Sequence, residues 1–264
     1  MIKHTSQNIR SFRLFRLLLH VLWGILQSIV YPHFPLDKQH RMMQNWAAGI
    51  LKILNIRLQT IGNKPGPDIQ RALLVANHVS WLDICVMITV CPTQFVAKSE
   101  IRDWPVIGFL CRRVGTLFIK RAKRSDTLRI NQDISHVLKK GERVCIFPEG
   151  RTSDGAQIRH FHASLLQSAI DAQAMIYPVA IRYLDNNGQI SEAAAYTNVT
   201  LIESLRNILK QPYIEAVLMF TDAIPGKNKN RRELTRLAEE AVSNSLEQPV
   251  YHTESGKPSY LPSA

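Results

Sequence analysis

The chain of 264 residues has only four cysteines, Cys85, Cys91, Cys111 and Cys145. No two of them form a Cys-x-x-Cys pair, and no histidine cluster stands beside them at zinc-ligand spacing. A metal site is therefore not expected. Each cysteine lies among apolar residues, the setting of a buried, reduced thiol in a protein facing the cytosol. Ser80 has no Gly-x-Ser-x-Gly elbow around it, which argues against a serine hydrolase. There is no zinc-finger spacing and no aromatic-rich RNA-binding block, so nucleic acid is not an expected partner. Internal repeats and low-complexity segments are lacking as well. Acidic residues are scarce: 21 Asp and Glu stand against 33 Lys and Arg, a formal charge of +12. Such a balance by itself suggests a polyanionic partner, whether nucleic acid, an anionic membrane surface or phosphorylated substrates, and does not choose among them.

The N-terminal apolar run, residues 17–31 (LLLHVLWGILQSIVY), falls short of the ~20 residues of a full bilayer span. Arg10, Arg13 and Arg16 precede it, and Tyr31-Pro32-His33-Phe34-Pro35 follows where a signal peptide would have a small-residue cleavage site. A second stretch, residues 42–58, places Met43, Trp46, Ala47, Ile50, Leu51 and Leu54 at helical spacing. Residues 1–60 are expected to form a membrane-associating helical hairpin that spans once or lies in one leaflet. Its basic flank would face the cytoplasm. The alternative is a pair of helices covering the main core.

Past the turn-rich residues 62–67 the pattern changes. Short apolar runs at 72–76, 94–97, 115–119, 144–147, 176–183 and 214–220 read as strands. Helical patterns at 125–140, with Ser125 as N-cap and Gly141 past the end, and at 160–172 lie between them. A closing helix is expected within 228–248 and a loose tail over 249–264. Alternation of this kind predicts an α/β fold, a sheet with helices on its faces. Active sites in such sheets gather at the carboxyl ends of the strands.

The stretch Asn77-His78-Val79-Ser80-Trp81-Leu82-Asp83 lies at such a strand end. On one helix His78 and Asp83 would point about 140° apart, and on one strand to opposite faces. They meet only if the backbone bends between them. A strand ending at Asn77-His78 and a helix capped by Ser80 supply the bend. Asp83 then falls at the third helical position, where it would complete a Ser-x-x-Asp capping box. Alternatively its carboxylate orients the His78 imidazole in the manner of a catalytic dyad.

Three further segments accompany it: Gly115-Thr116-Leu117-Phe118-Ile119-Lys120-Arg121, Phe147-Pro148-Glu149-Gly150-Arg151-Thr152-Ser153, and Ile176-Tyr177-Pro178-Val179-Ala180-Ile181. In this order the four resemble the blocks of the glycerolphosphate acyltransferase family, above all its bacterial 1-acylglycerol-3-phosphate acyltransferases, over residues 70–182. Lys98-Ser99-Glu100, Trp104-Pro105 and Gly108 match the family's habit between its first two blocks. The resemblance implies a mixed, largely parallel sheet flanked by helices, with residues 61–248 as catalytic domain behind the N-terminal hairpin. It implies His78 as general base with Asp83 as its partner. It assigns Gly115 and Arg121 to the second block, whose arginine holds the acceptor's phosphate, Glu149 and Gly150 to acceptor binding and site architecture, and Pro178 to the apolar side of the site. The third block departs from the family's Glu-Gly-Thr-Arg: Arg151 and Thr152 are exchanged, so Arg151 would reach phosphate from a shifted position. The family's downstream lysine and glycine are replaced within Phe161-His162-Ala163-Ser164, and no contact carries over to His162.

The implied reaction moves an acyl group from acyl-CoA or acyl carrier protein to the free hydroxyl of a lysophospholipid, foremost 1-acyl-sn-glycerol 3-phosphate. Other acceptors are a different lysophospholipid or a lyso-ornithine lipid. No cofactor is expected, because a thioester is already activated and needs no metal. The expected partners are membrane lipids and the two substrates, at the cytoplasmic face of the inner membrane. A reading of another class is a non-enzymatic basic protein that binds membrane or nucleic acid by charge.

Overall fold

A computed structural model describes residues 5–66, 69, 71–120, 124–248 and 250–251. The chain begins with helix α1 (Gln7–Val30), a 3-10 turn (Tyr31–His33) and helix α2 (Leu36–Leu54). Asn55 takes a left-handed conformation, φ 59°, ends α2 and turns the chain into strand β1 (Ile56–Ile61). Then follow β2 (Ala72–Ala76), α3 (Leu82–Val90), β3 (Gln94–Lys98), α4 (Ile107–Arg113), β4 (Leu117–Ile119), α5 (Arg124–Lys139), β5 (Arg143–Ile146), β6 (Ile158–Arg159), α6 (Gln167–Ala172), β7 (Met175–Leu184), α7 (Leu201–Lys210), β8 (Ile214–Phe220), β9 (Ile224–Pro225), α8 (Arg231–Leu246) and β10 (Val250–Tyr251).

The main sheet runs in the order β1-β8-β7-β2-β5-β3-β4, with β9 beside β7. Strands β7, β2, β5, β3 and β4 are parallel to one another. The β7–β8 pair is antiparallel, and β1 runs parallel to β8. The sheet is thus mixed and mostly parallel, as expected. Alternate residues feed two cores. Leu74 and Ala76 of β2, with Tyr177, Val179, Ile181 and Tyr183 of β7, pack under α2 and α3. Leu73, Val75, Ile146, Ile176 and Ala180 pack under α5, α6 and α8 on the other face. Because β2, β5, β3 and β4 are parallel, the loops at their carboxyl ends all leave from one edge of the sheet.

Several expectations change. The boundary placed at 60/61 falls inside β1, which pairs along its whole length with β8. The two N-terminal helices also divide the two readings between them. Helix α2 covers the core, burying Met43, Ala47, Ile50, Leu51, Ile53 and Leu54. Helix α1 carries most of its apolar residues on the outside. It presents Phe12, Phe15, Leu18, Leu19, Leu22, Trp23 and Leu26 to the outside. Leu17 and Val21 face inward with Arg13, His20, Gly24 and Ser28. The Arg13 guanidinium donates to the carbonyls of Gln211 (3.0 Å) and Pro212 (3.2 Å), so part of the basic flank is held by the protein itself. His20 and Trp46 stack, and the Trp46 indole N–H donates to the His20 carbonyl at 3.2 Å.

The helix expected over 160–172 starts later, with a 3-10 turn at Ala163–Leu166 before α6. His162 is extended, φ −83° and ψ 126°, and the Phe161 N–H donates to the Glu239 carboxylate (2.5 Å) and the His162 N–H to the Pro148 carbonyl (3.0 Å), which holds this stretch outside the helix. Ser125 lies within α5 and is not its cap. Of the expected tail, Val250 and Tyr251 pair with β6 in parallel. Residues 249 and 252–264 lie outside the described residues.

Candidate active site

The bend after β2 is fixed before any chemistry is placed on it. The Asn77 side chain replaces the next rung of the β2–β7 ladder. Its amide donates to the Ile181 carbonyl (2.9 Å), and the Ile181 N–H donates back to its oxygen (2.7 Å). The chain therefore leaves the sheet at Asn77, and His78 follows on the loop.

The loop closes on Asp83, which is fully buried. One oxygen, Oδ2, accepts from the N–H groups of Val79 (2.8 Å) and Ser80 (3.0 Å) and pairs with His78 Nδ1 at 2.7 Å. The other, Oδ1, accepts from the Tyr183 hydroxyl at 2.8 Å. An ionised carboxylate only accepts, so Nδ1 carries the proton of a neutral His78, and the Nε2 lone pair is left for a substrate proton. The imidazole also stacks on Phe147, with ring centroids 4.1 Å apart and planes 13° from parallel. Phe147 in turn stacks on Phe95 at 6.0 Å. Position and ring plane of His78 are thus both set by the protein, and its side chain stays 20% exposed.

The capping box is half realised. Helix α3 begins at Leu82 behind Trp81, and no side chain caps it. Asp83 accepts the Ser80 N–H, but the buried Ser80 hydroxyl has no partner among the described residues. The carboxylate serves the loop and the imidazole at once.

Glu149 sits in the loop after β5, beside the first. It is 4% exposed, and its two oxygens accept from backbone: Oε1 from the His78 N–H (2.6 Å) and Oε2 from the Arg159 N–H (3.0 Å). Burial outweighs these bonds and pushes its carboxyl up to about 8. Among the described residues Glu149 makes no ion pair with an arginine side chain. Gly150 turns the loop at φ 78°, in the left-handed region that glycine enters without strain. The Ser153 N–H donates to the His78 carbonyl at 2.7 Å, which ties the two loops together.

The remaining expected residues are placed differently. Arg151 is exposed, and Thr152 turns inward to donate to the Tyr196 carbonyl. Gly115 precedes β4 and so lies at the opposite edge of the sheet from His78. Its φ of 78° and the Gln94 side chain 3.2 Å from a would-be Cβ give it a conformational role there. Pro178 pairs with Val75 inside the sheet, on the face of Ile176 and Ala180. Its carbonyl accepts the Thr221 N–H (3.1 Å), so its missing N–H faces the gap between β8 and β9. Arg121 lies outside the described residues; Lys120 before it is exposed at the end of β4. Tyr183 escapes sequence reading, since only the pairing of β7 with β2 brings it to Asp83. No group of metal-ligating side chains occurs among the described residues.

A fixed, partly exposed imidazole backed by a buried carboxylate stands at the carboxyl edge of a mixed sheet. Comparison with known proteins gives the family. The acyltransferase family model matches residues 57–182. A 1-acyl-sn-glycerol-3-phosphate acyltransferase from Neisseria meningitidis serogroup B is 41% identical over 66% of this chain and 68% of its own length. A lyso-ornithine lipid O-acyltransferase from Pseudomonas aeruginosa is 34% identical over 79% of each. The crystal structure of the 1-acyl-sn-glycerophosphate acyltransferase PlsC from Thermotoga maritima has the same fold, with TM-score 0.64 and 21% identity over 89% of this chain and 96% of that one. The chain belongs to the acyltransferase family, and the chemistry of its site is O-acyl transfer.

Proposed function

We propose that the protein transfers a fatty acyl group from acyl-CoA or acyl carrier protein to the free hydroxyl of 1-acyl-sn-glycerol 3-phosphate, giving phosphatidic acid. The observation that carries this reading is the 2.7 Å contact of His78 Nδ1 with Asp83 Oδ2, which leaves Nε2 as the base. Nε2 takes the acceptor's hydroxyl proton as the oxygen attacks the thioester carbonyl, and the thiol leaves with a proton from the imidazolium. Asp83 stabilises that imidazolium. A positioned base of this kind contributes ~10²–10⁴-fold. Glu149 and Gly150 shape the loop that carries His78. Arg121 and Arg151 are the sequence's candidates for the acceptor's phosphate. The second reading keeps the chemistry with a lyso-ornithine lipid as acceptor, because relatives of both kinds match the chain at comparable identity.

The outward apolar face of α1 supports attachment to the membrane. The helix is tied to the α7–β8 turn by Arg13 and to α2 by His20 and Trp46. That supports a helix lying in the cytoplasmic leaflet of the inner membrane with the active site on the same side.

The test uses purified full-length protein in detergent with labelled acyl donors and both acceptors. Phosphatidate should form, and His78→Ala should abolish turnover with the far-ultraviolet circular dichroism unchanged. Turnover that survives His78→Ala would sink the general-base reading. Replacing Phe15 and Trp23 by Asp should release the protein from sedimenting membranes; continued sedimentation would count against attachment through α1.

A further inference from the structure

Strand β6 carries a cation that the family resemblance does not assign. Ile158 points into the core at 1% exposure, so its neighbour Arg159 points the other way. There, Arg159 lines a cavity of about 130 Å³ with Ser153, Asp154 and Gln157. Its Nε is buried and has no hydrogen-bond partner among the described residues. A guanidinium stays charged at any physiological pH, and a buried donor without an acceptor is costly. The cavity that Arg159 lines is where an anion from outside reaches the guanidinium.

The walls of this cavity hang on the proposed base. The Ser153 N–H donates to the His78 carbonyl (2.7 Å). The Arg159 N–H donates to Glu149 Oε2 (3.0 Å), and Glu149 Oε1 receives the His78 N–H (2.6 Å). The volume suits a small anionic group and not an acyl chain. Arg151, the cation that the sequence offers nearby, is exposed in the turn instead. Asp154 brings one acid to the cavity, and its Oδ1 accepts the Ala156 N–H at 3.0 Å.

We propose that Arg159 is a specificity residue of the acceptor site. Its guanidinium holds the anionic group of the acceptor's head, phosphate or carboxylate, while the free hydroxyl of the same molecule lies at His78. The proposal rests on the acyl-transfer reading and adds the residue that selects the head group. Asp154 decides which anion is accommodated: it repels a head group that is only anionic and attracts an ammonium on one that carries both charges.

The experiment measures acceptor and donor kinetics for the full chain with lysophosphatidate, lyso-ornithine lipid and uncharged monoacylglycerol. Arg159→Gln should raise KM for the anionic acceptor about tenfold, the loss of one charged hydrogen bond. Donor KM and the use of monoacylglycerol should not change, and Arg159→Lys should restore part of the loss. Asp154→Asn should lower KM if the anion comes from lysophosphatidate and raise it if it comes from the ammonium-bearing lyso-ornithine lipid. An equal loss with monoacylglycerol, or a rise in donor KM, overturns the proposal. Calorimetric binding of both anionic lysolipids to wild type and Arg159→Gln gives a readout without turnover. Equal affinities there overturn the role of Arg159, whereas weaker binding by Arg159→Gln in a protein that shows no acyl transfer upholds it and removes the enzymatic reading alone.

Discussion

Two loops leave the same edge of the sheet, after β2 and after β5, and each closes on a buried carboxylate. Asp83 closes the first with four donors: two backbone N–H groups, the His78 ring and the Tyr183 hydroxyl. Glu149 closes the second with two backbone N–H groups. The count matters, because each donor offsets part of the cost of burying a charge. With two donors the offset falls short, and burial dominates the Glu149 carboxyl. The kind of donor matters too. Asp83 pairs with a side chain that can take up a proton, whereas Glu149 accepts hydrogen bonds from backbone alone. One carboxylate lies against the proposed base, and the other holds the loop that carries it.

The largest expected effect separates charge from geometry in the first loop. In Asp83→Asn the amide oxygen can occupy the Oδ2 place and keep the three donors that meet there. The amide nitrogen then faces the Tyr183 oxygen. The loop survives, but the negative charge behind the imidazolium is gone. Turnover should fall ~10²–10⁴-fold with circular dichroism and acceptor affinity near wild type. A loss of only a few-fold would mean that orientation suffices and the charge does not matter.

The second loop should respond in the opposite sense, more in stability than in rate. Glu149→Gln leaves one backbone N–H facing an amide NH₂, at a cost of about 1–3 kcal/mol. Turnover should drop no more than about tenfold, since no reacting atom touches Glu149. pH dependence supplies a second check. Glu149 is raised in the folded protein from 4.5 to about 8, so the folded state binds more protons across that interval. Its contribution to stability is therefore full below pH 4.5 and is lost as pH rises towards 8. The melting temperature of wild type, relative to Glu149→Gln, should fall over that range; a flat difference would show that the carboxyl is not held protonated.

The contrast also marks what the sequence makes legible. The strand end at Asn77, the need for a bend and the start of α3 near Ser80 can all be read locally, because they rest on turn and cap chemistry within a few residues. The role of Glu149 was half legible: its block is recognisable, but its bond to the His78 N–H spans 71 positions and follows from the parallel pairing of β2 with β5. Gly115 illustrates the reverse case. The sequence groups it with a site residue, yet the chain needs it for a turn at the far edge of the sheet. Helix α1 shows why an apolar run alone does not fix a role. Its residues are legible as a helix, but only the structure shows that most of its apolar residues face away from the protein.

The smallest expected effect tests the donor that sequence reading could not supply. Tyr183 lies 100 positions from Asp83, fully enclosed, on the face of β7 that packs under α2 and α3. Burial and the neighbouring Asp83 charge raise its phenol well above the ordinary value, so it stays protonated and donates throughout the working range. Tyr183→Phe removes that donor from Asp83 Oδ1 and leaves the three bonds to Oδ2 intact. The structure should lose about 1.5–3 kcal/mol, the range for a hydrogen bond to a charged group. Turnover should fall only a few-fold, because the carboxylate keeps its charge and its grip on His78. A rate loss as large as that of Asp83→Asn, measured on the same acceptor, would mean that the phenol and not the charge holds the dyad together.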